Sequence, residues 1–125
     1  MKKKIFAIDD DALALQLIVA ALEAEGHEVK AFLEFESLLQ ELHQSLPDLV
    51  MTDVVMPKIS GFEVCRRIKE IRPHPPQVIV MTGKLDAIDP IQARKMGADD
   101  FVVKTSDLAV LVRAVRKILS DEKQI

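Results

Sequence analysis

Five short runs of apolar, largely β-branched residues punctuate the chain, and the longer stretches between them carry apolar residues at helical spacing. The runs are Ile5–Ile8, Val29–Leu33, Leu49–Met51, Val78–Met81 and Phe101–Val103. The stretches between and after them predict helices over about Ala12–Glu25, Glu36–Leu46, Gly61–Arg72, Pro90–Gly97 and from Ser106 onward. Gly26 suits a left-handed helix C-terminus. Pro47 and the cluster Pro73-His74-Pro75-Pro76 close the second and third helices, and Pro90 is acceptable in a first turn. Ser106 is a candidate N-cap, with Asp107 favourably placed by the helix dipole. Strand–helix alternation repeated five times predicts an α/β fold: one parallel sheet, right-handed crossovers and helices on both faces.

The second run, His27-Glu28-Val29-Lys30-Ala31-Phe32-Leu33, alternates polar with apolar residues and belongs at a sheet edge. The first, third and fourth are more continuously apolar and belong in the middle. This pattern predicts a doubly wound (βα)5 sheet of order 2-1-3-4-5, whose switch point lies between strands 1 and 3. The 125 residues suit one domain, with a folded core over about 3–120 and a polar tail at 121–125. A net charge of −3 argues against a general nucleic-acid or membrane-surface binder. No apolar run approaches the roughly 20 residues of a bilayer span, and acids interrupt the basic N-terminus too early for a signal peptide. One cysteine, Cys65, excludes an intrachain disulfide framework and fits a reducing cytoplasm. His27, His43 and His74 show no ligand spacing.

In such sheets ligands bind outside the carboxyl ends of the strands. Those ends carry Asp9, Asp10 and Asp11 after strand 1 and Asp53 after strand 3. Thr82 and Gly83 follow strand 4, and Lys104 follows strand 5. Clustered carboxylates repel one another, which raises the proton affinity of at least one, and a divalent cation relieves that repulsion. Oxygen-only donors point to Mg2+. Lys104 adds a compact positive charge, Thr82 a hydroxyl, and Gly83 room for close backbone approach. Together these are the parts of a phosphoryl-transfer site, where positioning and charge neutralisation dominate.

The stretches "AIDDD", "MTDVVMPKISG", "VIVMTG" and "DDFVVK", in this order and at these intervals, resemble the receiver domains of two-component response regulators, similar to the single-domain chemotaxis type. The resemblance covers essentially the whole chain. It implies that Asp53 accepts a phosphoryl group from the phosphohistidine of a sensor histidine kinase or a histidine phosphotransfer protein. It further implies that Asp10 ligates Mg2+ directly, that Asp9 does so through water, and that the Val55 backbone carbonyl contributes. Lys104 and Thr82 would contact the phosphoryl group, and Phe101 matches the switch aromatic, although a core phenylalanine would look the same in sequence. Pro57 and Gly61 match the loop after the acceptor. The domain would assist its own phosphorylation and slow autodephosphorylation rather than act as an enzyme. It would signal through the fourth helix, fifth strand and fifth helix, as a monomer or a weak phosphorylation-dependent dimer. Kinase docking around the first helix implicates Leu13. Val110, beside Arg113 and Lys117, is either a partner contact or an isolated exposed valine.

Two departures stand out. Thr105 follows Lys104 where the family usually has proline, often cis; a cis bond to threonine costs about 2.5–4 kcal/mol, so a trans bond is expected, with consequences for how Lys104 is aimed. Val55 and Lys84 occupy the positions that tune phosphoryl loss, and valine cannot orient an attacking water, so hydrolysis should be slow. Competing readings are a pseudo-receiver used only for protein contacts, and a Mg2+-dependent phosphatase of the haloacid dehalogenase type using the acids of AIDDD. A flavin-binding flavodoxin is a further reading, set aside because no phosphate-cradling loop follows strand 1.

Overall fold

Parallel strands and helices alternate along the whole computed structural model, which describes residues 2–83, 89–105 and 107–120. The elements are β1 (Lys4–Ile8), α1 (Ala12–Ala24), β2 (Glu28–Phe32), α2 (Phe35–Gln44), β3 (Leu49–Asp53), α3 (Gly61–Lys69), β4 (Gln77–Thr82), α4 (Pro90–Lys95), β5 (Asp100–Val103) and α5 (Ala109–Leu119). The sheet order is β2-β1-β3-β4-β5, all parallel, as the apolar patterning predicts.

Alternating side chains along each strand sort the interior into two layers. Ile5 and Ala7 of β1 face α1 and α5, where they meet Leu15, Ile18, Leu22, Leu111, Val115 and Ile118. Phe6 and Ile8 face the other way, toward Leu38, Val64, Cys65 and Ile68 of α2 and α3 and Ala93 of α4. Enclosure is uneven across the sheet. All five residues of β3 are buried, whereas β2 has none and β5 buries only Val102.

Helix ends follow local chemistry. The Asp11 carboxylate caps α1, accepting from the backbone N–H groups of Leu13 and Ala14. Gly26, at φ +93°, takes the left-handed conformation after it. Several helix bounds differ from the sequence expectation by one to three residues; α4, for one, ends at Lys95 with Met96 as its C-cap, short of Gly97. Helix α2 ends at Gln44 rather than Leu46: Ser45 is already extended, and a proline at 47 disfavours helical geometry in the residue before it. Helix α3 stops at Lys69 rather than Arg72, with Glu70 as its C-cap. Helix α5 begins at Ala109 rather than directly after position 106. Ser106, the expected cap, lies outside the described residues, as do Lys84 and the tail at 121–125. Asp107 does sit at the helix start, where its carboxylate accepts from the Ala109 N–H at 2.9 Å.

Candidate phosphoacceptor site

Apolar strands β1 and β3 pair side by side, so the residues at their tips become neighbours despite the length of chain between them. Asp9, Asp10 and Asp53 each offer a carboxylate oxygen, and these oxygens lie within 4.8 Å of one another. Asp9 is fully buried and Asp53 nearly so, at 7% exposure, while Asp10 faces solvent. Asp9 is held at both oxygens: one accepts from the Asp11 N–H at 3.0 Å, the other from the Lys104 ammonium at 2.6 Å. The same ammonium lies 3.5 Å from Asp53.

Asp53 is fixed through its backbone. The Thr52 hydroxyl donates to the Asp53 carbonyl at 3.0 Å. The Val54 N–H donates to Met81 of β4, and the Gly61 N–H donates back to the Val54 carbonyl. Position 61 admits only glycine, because a Cβ there would lie 2.1 Å from the Asp53 carbonyl oxygen. The first turn of α3 thus presses directly on the backbone of the acid.

Burial pushes the Asp53 carboxyl up to about 6, with Asp9 and Asp10 adding to the rise and Lys104 opposing it. Burial alone would pull Lys104 down, but its hydrogen bond to Asp9 and the charges of Asp53 and Asp9 leave it above the usual lysine value. Three acids against one lysine leave the cluster short of positive charge. All its donors are oxygens, one side is open through Asp10, and few carboxylates are offered; that donor set fits a hard divalent cation such as Mg2+, which retains several waters.

Thr82, 2% exposed, ends β4 beside this cluster, and its backbone carbonyl accepts from the Lys104 N–H. Lys104 therefore points into the cluster, not away, and its bond to Thr105 is trans, since Arg72–Pro73 is the one cis peptide among the described residues. Phe101 is partly buried against the α3 and α4 side of the sheet. Val55 is 56% exposed in the loop after β3. Leu13 on α1 and Val110 on α5 are exposed at 67% and 41% and stand outside the cluster on their helix surfaces. Two contributions to this geometry leave little trace in the sequence: the Thr52 hydroxyl inside an apolar strand, and the hydrogen bond of the Thr105 hydroxyl to the Asp107 carbonyl.

The sequence profile of the response regulator receiver domain matches residues 5–116. The transcriptional regulatory protein AfsQ1 of Streptomyces coelicolor is 40% identical over 111 residues, covering 89% of this chain and 48% of that protein. The alkaline phosphatase synthesis transcriptional regulatory protein PhoP of Bacillus subtilis is 32% identical over 104 residues, covering 83% of this chain and 43% of that one. The chain thus spans about half the length of the curated relatives it matches. Among solved structures, response regulator TrrA of Thermotoga maritima, in complex with Mg2+-BeF, superposes with a TM-score of 0.83 at 29% identity, covering 94% of this chain and 99% of that one. The BeF3-activated DrrB receiver domain gives 0.81 at 34% identity, covering 95% and 98%. Among the described residues no helix is long and apolar enough to cross a membrane. An acidic pocket that fits a phosphoacceptor site, on a five-stranded sheet of this order and matched by this profile over nine-tenths of its length, leaves one conclusion: the chain belongs to the response regulator receiver domain family.

Proposed function

We propose that Asp53 is the phosphoacceptor, taking a phosphoryl group from the phosphohistidine of a sensor histidine kinase or a histidine phosphotransfer protein. The observation that carries this reading is the meeting of Asp9, Asp10 and Asp53 within 4.8 Å of one another, with the Lys104 ammonium on Asp9 and Asp53. A carboxylate oxygen of Asp53 attacks phosphorus in line, the N–P bond breaks, and its electron pair leaves with the imidazole, kept neutral by the ring's other N–H. Asp10, Asp53 and the Val55 carbonyl are the residues that would hold Mg2+, with Asp9 acting through water. Bound there, the ion supplies positive charge that offsets the acids and the oxygens of the transferring group. Lys104 turns toward the arriving phosphoryl oxygens, and Thr82 donates its hydroxyl to them.

Phosphorylation adds about −1.5 to −2 of charge and three acceptor oxygens. Drawing Thr82 and Lys104 inward, with Phe101 following, biases an existing equilibrium between two arrangements of the α4–β5–α5 surface, Val110 included. Leu13, on α1 close after the acid loop, is the contact we assign to the kinase. The exposed Val55 cannot itself orient an attacking water, so the aspartyl phosphate should hydrolyse slowly. The domain works in the cytoplasm as a monomer or weak phosphorylation-dependent dimer, without touching nucleic acid itself; transcriptional output in the relatives' names makes an attached or separate output module the natural recipient of the signal.

Incubation with acetyl phosphate and Mg2+, followed by intact-mass measurement, tests the assignment. One added phosphoryl group on wild type and none on Asp53→Asn is expected; uptake by the variant would transfer the role to another residue.

A further inference from the structure

We propose that Thr105 is a positioning residue, whose hydroxyl closes the turn after β5 and so fixes the direction from which Lys104 reaches the acid cluster. This role rests on the phosphoacceptor reading of the cluster, and its test is arranged to fail separately. Reach is the problem that Lys104 must solve. It leaves the tip of β5, yet the carboxylate it holds at 2.6 Å belongs to Asp9 at the tip of β1. In the order β1-β3-β4-β5 those tips stand three strand spacings apart, about 14 Å for a flat sheet. A lysine and an aspartate side chain together barely match such a distance, so the contact depends on how the backbone at position 104 is aimed. A modest swing of the backbone at position 104 would break the contact.

The turn is tied at both ends. The Lys104 N–H donates to the Thr82 carbonyl, and the Asp107 carboxylate accepts from the Ala109 N–H in the first turn of α5. Between these ties the Thr105 hydroxyl donates to the Asp107 carbonyl at 2.7 Å. A proline at 105 would restrict the backbone through its ring; threonine has no such lock, and its side-chain hydrogen bond supplies the restraint instead.

Thr105→Val removes the hydroxyl and keeps the branched shape, whereas Thr105→Ser keeps the hydroxyl. The first readout is the NMR shift of the Lys104 ε-methylene in metal-free protein at fixed pH, which needs no phosphoryl transfer. The second is the rate of phosphoryl uptake from acetyl phosphate with Mg2+, and melting followed by circular dichroism accompanies both. In the valine variant the Lys104 resonance should move toward that of exposed lysines and uptake should fall about fivefold, the scale of one lost hydrogen bond. The serine variant should match wild type in both. An unmoved Lys104 resonance in Thr105→Val overturns the assignment, whether or not its melting temperature drops, and so does failure of serine to rescue. If wild type takes up no phosphoryl group, the Asp53 assignment fails, while the Lys104 resonance still decides the role of Thr105.

Discussion

Lys104 and Asp9, 95 positions apart in sequence, form an ion pair at 2.6 Å, almost 1 Å closer than the lysine's approach to Asp53. The ammonium is thus shared between two acids but held by the one that is fully buried. Asp53 is left with the cost of its burial only partly offset, which a bound cation would relieve.

Replacing Asp53 should therefore stabilise the metal-free fold. The carboxyl titrates at about 6 in the fold against 3.8 as reference, so the folded state holds a proton that the unfolded chain has released. Stability falls as pH rises through that interval and stays reduced above it. Asp53→Asn should escape this loss, with an advantage over wild type that grows between about pH 4 and 6 and levels at roughly 2–3 kcal/mol. The chain has no Trp or Tyr, so urea unfolding followed by far-ultraviolet circular dichroism with chelator present is the suitable measurement. An advantage that is flat across pH would contradict the stated cause.

Lys104→Met should do the opposite. It leaves three clustered acids without their cation, a loss of about 3 kcal/mol for breaking a largely buried pair. Millimolar Mg2+ should restore most of it. Thermal melts with and without the ion will show whether the recovery is larger than in wild type, as this geometry requires.

Gly61→Ala tests the contact between α3 and the acid. The added carbon meets backbone rather than a flexible side chain, so relief requires moving either the helix or β3. A destabilisation of at least about 2–3 kcal/mol is expected, together with weaker Mg2+ uptake by calorimetry. An unchanged melting temperature and affinity would mean that the helix simply shifts.

Asp11→Ala separates a cap from a ligand. Losing the two N–H contacts should cost about 1 kcal/mol, while Mg2+ affinity stays within about threefold. A larger fall in affinity would place Asp11 among the metal-holding acids.

Cys65 provides a probe remote from the cluster. Burial pushes its thiol up to about 11, so at pH 8 the native protein should react with a disulfide reagent about 100-fold more slowly than the urea-unfolded chain, whose thiol ionises nearer 9. Because the fold retains a proton that the unfolded chain loses, the thiol's contribution to stability declines as pH climbs from about 9 to 11. Equal reactivity of native and unfolded protein would show that Cys65 is not enclosed.

Most of the architecture was legible in the sequence because both periodicities were strong. The alternation in Glu28–Phe32 marked an edge, the unbroken apolar runs of β1, β3 and β4 marked the centre, and the strand order followed. That order in turn brought Asp9, Asp10 and Asp53 together, whereas Asp11 caps α1. Helix ends were less legible, since the prolines at 47 and 73 bar continuation but do not mark the last helical residue: Ser45 is already extended and Glu70 already serves as C-cap. Which acid holds Lys104 was not legible at all. It depends on the reach of one side chain across the sheet and on a hydroxyl bond at Thr105, neither of which leaves a periodic trace. The exclusion of a side chain at Gly61 is likewise a three-dimensional fact.

The uneven enclosure of the strands sets where the machine can yield. Negative groups stand at the tips of β1 and the wholly buried β3, and their counter-charge follows directly after β5, an outer strand with a single enclosed residue. If Asp53 takes up the phosphoryl group as proposed, the new charge would meet a wholly enclosed strand on one side and a thinly enclosed margin on the other. Displacement would then run outward along that margin toward α5, so that the direction of the response would follow from which strand bears which sign.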